Sequence, residues 1–271
     1  MKLLDGKVAI VTGAGSGIGR AGARLMARDG ARIAVADVNE DAGAAVADEI
    51  RAAGGEAVAI PVYVRDSASV QSLVAGTVER FGRVDALFHN AVSVRLVNEQ
   101  DRRVTELPDE VWHEIQSLCL TGTFHCAKHV GRQMLAQKSG SIILTATTDA
   151  LIGQAGIDAY TAAKGGVVAM TRSMAAGLSP DGVRVNAICP GFVNTPHQAV
   201  FMNVPEERRK IEALHLMPIM AAEDVAEFAV FLASDRARFM TGGIHVVDSG
   251  YMAFKAPVDL ADVFAREEQG R

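Results

Sequence analysis

Tyr160 and Lys164 stand four residues apart in DAYTAAKGG, with a cluster of threonines about a dozen residues upstream in LTATTD. On a helix, residues i and i+4 lie one above the other on the same face, so the phenol and the ammonium would come together. A neighbouring ammonium favours phenolate over phenol. The spacing therefore predicts a tyrosine pKa lowered toward neutrality, the property that a general acid or base acting on an alcohol requires. The same pair of residue types also decorates ordinary helix surfaces, stems lying along the protein and polar ends in water.

A second group of residues suits a phosphate-bearing ligand. TGAGSGIGRAG, residues 12–22, follows directly on the apolar run KVAIVTG. A literal GxGxxG reading picks out Gly17, Gly19 and Gly22 but falls mostly inside the following helix. The spacing Thr12, Gly13, Gly17, Gly19 is the informative one, because glycines there permit a tight turn and let the backbone approach a pyrophosphate at the helix N-terminus. Glycine is also permissive in purely structural turns. The second run, ARIAVAD, ends in Asp37, where a carboxylate can accept hydrogens from both adenosine ribose hydroxyls and repel a 2′-phosphate. Neither Ser16 nor Val38 provides the cation that a phosphate would need, so NAD is expected over NADP. The competing reading of Asp37 is a cap for the next helix.

Seven β-branched runs position these groups: KVAIVTG, ARIAVAD, EAVAIPVYV, VDALFHN, GSIILTA, VRVNAICPG and GIHVVDSG, with helix-period segments between them. That alternation predicts an α/β fold, a doubly wound Rossmann-type parallel sheet with helices on both faces. No linker or shift in composition divides the 271 residues, so one domain is expected over about 1–255. It includes an amphipathic segment at 194–220 suited to a lid, and a C-terminal extension follows at 256–271. With 49% hydrophobic and 22% charged residues the chain has ample material for a core. A net charge of −5 without basic runs gives no footprint for nucleic acid or an anionic membrane. Three cysteines without CxxC spacing suggest neither a disulfide framework nor a metal site, and the short N-terminal apolar run is no signal peptide, so a cytoplasmic location is expected.

In combination, three of these stretches carry a resemblance. TGAGSGIG matches the TGxxxGxG, YTAAK the YxxxK, and NAICPGFVNT the nicotinamide-lining segment of the short-chain dehydrogenase/reductase family, in register over about residues 5–250. The resemblance implies an NAD-dependent oxidoreductase that interconverts a secondary alcohol and a ketone. Tyr160 would exchange the proton, and Lys164 would hold the nicotinamide ribose. A hydroxyl thirteen residues before the tyrosine, here Thr147, would orient the substrate oxygen. Cofactor contacts are implied for Gly13, Ser16, Gly17, Ile18, Gly19, Asp37, Val38, Val64, Asn90, Ala91, Tyr160, Lys164, Pro190, Gly191, Val193 and Thr195. A homotetramer is implied through the helices carrying TFHCAKHV and YTAAKGGVVAMTRSMA and through the C-terminal region around TGGIHVVDSG.

Several positions depart from that pattern. The family's serine is Thr147, which keeps the hydroxyl and adds a methyl that stiffens χ1. Thr145 would share its strand face and Thr148 would oppose it. The family's asparagine aligns with Cys119, whose thiol bonds weakly but whose main-chain carbonyl could still support the family's water relay. Its NNAG becomes HNAV (His89, Asn90, Ala91, Val92), and the acidic residue that often contacts adenine becomes Tyr63. His89 reads as a structural residue before a base, and Cys119 as a small buried residue before a nucleophile. These changes leave a second reading open, a dinucleotide-binding protein with a regulatory or non-redox role. Val193, Val200, Phe201, Met202, Leu214, Leu216 and Met217 suggest an apolar pocket for a cyclic or aromatic-bearing alcohol, although each could also pack as lid core. Arg95 could meet an anionic substrate or simply be solvated.

Overall fold

Period-2 alternation sends the side chains of each apolar run into two different cores. In the computed structural model, which describes residues 2–254, strand β1 (Val8–Thr12) points Ala9 and Val11 to one side and Ile10 to the other. β2 (Arg32–Asp37) divides Ile33 and Val35 from Ala34 and Ala36 in the same way. β3 (Ala57–Pro61), β4 (Ala86–His89), β5 (Gly140–Thr145), β6 (Val183–Pro190) and, last in the chain, β9 (Ile244–Val247) complete a seven-stranded sheet in the order β3-β2-β1-β4-β5-β6-β9. Every neighbouring pair is parallel. All seven apolar runs of the sequence are these strands.

One core lies under α1 (Gly17–Arg28), α2 (Glu40–Ala52) and α10 (Ala222–Ala233), the other under α3 (Ser67–Phe81), α6 (Gly122–Gln137) and α7 (Asp158–Leu178). Helices on both faces of a parallel sheet make the fold the doubly wound α/β type that the alternation predicts. Packing is close where α1 crosses β4: a Cβ on Gly22 would stand 2.7 Å from the ring of Phe88, which is fully buried.

The strand order reverses between β1 and β4, and the crevice outside their carboxyl ends is where such sheets place ligands. Four further pieces rim that end. α4 (Val94–Gln100) and α5 (Asp109–Gln116) follow β4, and a single π-helical turn, Ser117–Thr121, joins α5 to α6. Between β6 and α10 the chain forms the two-residue strand β7 (Val193–Asn194), short helices α8 (Ala199–Met202) and α9 (Pro205–Glu212), and β8 (Met220–Ala221), which pairs with β7. The extension expected at 256–271 lies outside the described residues. Among the described residues no helix is long and apolar enough to cross a membrane, and no cluster of metal-ligating side chains occurs.

Candidate active site

The turn from β1 into α1 is built for close approach. Gly13 adopts φ +64°, and a Cβ there would meet the Ala91 backbone at 2.9 Å. A Cβ on Gly19 would overlap the Gly13 carbonyl oxygen, so the first turn of α1 lies directly on the loop. Ser16 precedes α1 but its side chain caps nothing, and the first turn contains no acidic residue. The helix therefore presents open N–H groups and the positive end of its dipole, the arrangement that holds a pyrophosphate. Thr195 stands 3.5 Å from the place a Cβ on Gly17 would take, and the Ser16 hydroxyl meets His197 Nε2 at 3.3 Å, so the start of the 194–220 segment lies over this loop.

Asp37, at the end of β2, is half-buried and accepts the Gly15 N–H at 2.7 Å and the Asn39 N–H at 2.9 Å. Capping of α2 falls to Asn39, which accepts from the Ala42 N–H, so the helix-cap reading of Asp37 does not hold. A carboxylate offers about four acceptor positions, and two remain for a ribose. Val38 beside it is exposed, and no cation is added there. Uncapped helix, glycine cradle and carboxylate together fit a dinucleotide.

At the centre of the crevice, Thr12 ties β1 to β4. Its hydroxyl accepts the N–H groups of Asn90 and Ala91 at 3.2 and 3.3 Å, which occupies both lone pairs. Its hydrogen must then go to His89 Nδ1, 2.8 Å away, which leaves the proton of the neutral ring on Nε2, a buried atom without a partner among the described residues. Burial, reinforced by the Lys164 charge, pushes the His89 pKa down to about 3. His89 is structural, as expected, and neutral at physiological pH. Val92, in place of a glycine, is accommodated without a positive φ.

Helix α7 brings Tyr160 and Lys164 to the end of β5. A buried residue from far upstream fixes its first turn: the Asp101 carboxylate accepts the Ala159 and Tyr160 N–H groups at 3.2 and 2.9 Å, where the helix has no cap of its own. Such a cap contributes about 1 kcal/mol. Nothing in the local sequence marked Asp101 for this role. Lys164 is buried and donates to the Thr145 carbonyl at 2.6 Å, leaving two N–H groups for a ligand, and its Nζ lies 5.8 Å from the centre of the Tyr160 ring. Thr145 in turn donates to Asn90 Oδ1 at 3.3 Å.

The expected fall in the Tyr160 pKa is not found. Burial pushes the phenol up, the Cys119 and Asp149 charges push the same way, and only the Thr147 hydroxyl opposes them. Helical spacing brought the lysine to the tyrosine, but it could not report how dry the site is. Lys164 is itself lowered by burial.

Thr147 follows β5 as the cap of a short 3₁₀ turn, Thr148–Ala150. Its hydroxyl faces Tyr160 and also meets Asp149, a residue that the sequence reading passed over. The signal was local: an acid two residues after a threonine suits a side-chain turn. Thr148 is buried, and its carbonyl accepts from Leu151 and Ile152.

Cys119 sits within the π turn and packs with Ala159, Ala163 and Tyr160. Burial pushes its thiol up, which removes the nucleophile reading. Its carbonyl accepts from the Thr123 hydroxyl at 2.7 Å. π turns frequently mark functional sites, and composition gave no sign of this one.

The other expected contacts divide. Asn90 and Ala91 follow the end of β4, Gly191 follows Pro190 at the end of β6, and Ile18 packs beside Ala21 and α10, with Asn90, Ala91, Gly191 and Ile18 half-buried. Val64 is buried, its carbonyl bonded to His125 Nδ1 at 3.0 Å. Val193 and Met202 are buried as well, matching the lid-core alternative for these two, whereas Val200, Phe201, Leu214, Leu216 and Met217 are exposed. Arg95 pairs with Glu99 at 3.0 Å in solvent. Tyr63 is exposed.

Comparison with known proteins gives a consistent picture. A family model described as "Enoyl-(Acyl carrier protein) reductase" matches residues 13–252. Cis-4-hydroxycyclohexanecarboxylate dehydrogenase of Sinomonas cyclohexanicum is 39% identical over 249 residues, 91% of this chain and 97% of that protein. Cyclohexanol dehydrogenase of Acinetobacter sp. (strain SE19) is 35% identical, covering 91% and 95%. The crystal structure of gox2181 superposes with a TM-score of 0.86 at 33% identity, covering 93% of this chain and 97% of that one.

Proposed function

The chain belongs to the short-chain dehydrogenase/reductase family and is an oxidoreductase, and from that premise we propose that it interconverts a cyclic secondary alcohol and its ketone with NAD. The observation that carries this reading is the convergence of Tyr160, Thr147 and Lys164 beside the glycine turn at the strand-order reversal. Bound NAD supplies the hydride acceptor. Tyr160 exchanges one proton with the substrate oxygen, its phenol giving it to the ketone and its phenolate taking it from the alcohol, and Thr147 holds that oxygen. Lys164 uses its two remaining N–H groups on the nicotinamide ribose, and Cys119 contributes its carbonyl to the back of the site.

Asp37 beside exposed Val38 supports NAD over NADP. A cyclic substrate is supported by the relatives' activities and by the apolar side chains that residues 194–220 expose, among them Phe201, edge-on to Phe192 at 6.4 Å. In this reading that segment is a substrate lid. We place the enzyme in the cytoplasm as a homotetramer, built through α6, which exposes Phe124, and α7.

The test mixes purified protein with NAD and a panel of cyclic and aryl-bearing secondary alcohols and follows NADH absorbance, with Tyr160→Phe as control. Turnover that the variant loses is the expected result. Tight NADH binding with no reaction of any alcohol or ketone would instead favour the non-redox reading.

A further inference from the structure

Asp149 grips Thr147 twice. The Thr147 hydroxyl donates to Asp149 Oδ2 at 3.0 Å and accepts the Asp149 N–H at 3.2 Å. A hydroxyl has one hydrogen and two lone pairs. While the carboxylate is ionised it holds that hydrogen, and Thr147 has only a lone pair left to offer a substrate oxygen. An alcohol can donate to that lone pair. A ketone oxygen, which carries no hydrogen, gains nothing from it. Once Asp149 is protonated, its own O–H can donate to Thr147 Oγ1, and the threonine hydrogen is released toward the substrate. We infer that Asp149 is a positioning residue that decides whether Thr147 accepts from an alcohol or donates to a ketone at the reacting oxygen. The inference rests on the redox reading of this site.

The surroundings leave Asp149 as the group that titrates there. Its turn packs on α7 and β6. From α7 it faces Tyr160, around which Cys119 of the π turn and Cys189 of β6 also stand, with Lys164 beside the two cysteines. Burial pushes Tyr160 and Cys119 up and Cys189 up to about 11, while the Lys164 ammonium is held by the Thr145 carbonyl. Asp149 itself is raised by burial, opposed only by its bond to Thr147. Protonation therefore begins above the ordinary carboxylate range.

Complexes that cannot react separate binding from chemistry. Cyclohexanone is titrated into the protein saturated with NAD, and cyclohexanol into the protein saturated with NADH, by calorimetry between pH 8 and pH 5. In the wild type the cyclohexanone Kd should fall as the pH drops, toward a limit of about tenfold, the factor expected of one added hydrogen bond. The cyclohexanol Kd should not fall with it. Asp149→Ala should bind cyclohexanone tightly at both pH values, and Asp149→Asn, whose amide can donate to Thr147, should behave alike. Thr147→Val should bind it weakly at both. Unchanged NADH affinity verifies that each variant is folded. A pH-dependent cyclohexanone Kd that persists in Asp149→Ala or in Thr147→Val overturns the inference alone. If neither probe binds the cofactor-loaded wild type, the redox reading falls and the inference with it.

Discussion

On its β1–α1 side the crevice is shaped by backbone: Gly13 in the left-handed region, Gly19 pressed onto the Gly13 carbonyl, and Thr12 and Asp37 bonded to main-chain N–H groups. On its β5–α7 side it is shaped by side chains that reach across the chain, with Asp101 on α7, Asp149 on Thr147 and Lys164 on the Thr145 carbonyl. The first side is set by the few conformations open to a short glycine loop. The second is set by burial and charge on side chains drawn from distant parts of the chain.

The largest effect expected on either side is the loss of the Tyr160 hydroxyl. Tyr160→Phe should lower alcohol oxidation by roughly 10²- to 10⁴-fold, the range for a positioned acid or base, with NADH affinity unchanged. A parallel loss of NADH binding would blur the division between the two sides.

His89 tests how firmly the first side is held. Its pKa in the fold is about 3, against 6.5 for an ordinary histidine. Below pH 6.5 the unfolded chain takes up a proton that the folded protein refuses, so stability falls as the pH drops from 6.5 toward 3 and is fully present above that window. The loss is about 3 kcal/mol at pH 4. His89→Asn, whose carbonyl can accept from Thr12, should remove most of this acid sensitivity in urea denaturation at pH 7 and pH 4. An unchanged difference between the two pH values would show that the ring is not held neutral.

Asp37→Ala should weaken NAD about tenfold to a hundredfold, as expected for hydrogen bonds to a charged group, and leave NADP little affected. Equal losses for both cofactors would mean that Asp37 supports only the loop. Asp101→Ala should cost about 1 kcal/mol of stability and, by loosening the first turn of α7, lower kcat without changing the NADH Kd. Arg95→Ala should change neither stability nor activity measurably, since its ion pair is solvated.

The same contrast explains what was legible in the sequence. All seven strands and the glycine turn were readable because their signals lie within one element: alternation along a strand, and glycine spacing where a strand meets a helix. Tyr160 and Lys164 were readable as a pair for the same reason. The direction of the tyrosine shift was not, because it depends on burial by Cys119 and its neighbours, which come from a different helix. Asp101 caps α7 from 58 residues upstream, a relation that no local window contains. Val193 and Met202 matched a lid pattern by composition, and only their packing revealed them as interior.

The segment from β7 to β8 leaves and rejoins the fold at nearly one place. Gly191, just past β6, donates to Val247 at the end of β9, and Ser249 takes the Leu216 and Met217 N–H groups while its hydroxyl reaches the Pro218 carbonyl. An insertion between such close anchors adds little to the entropy of chain closure, about 0.6 kcal/mol for each doubling of its length. The part of this segment that points away from the body can therefore change length at small entropic cost while the sheet beneath keeps its register.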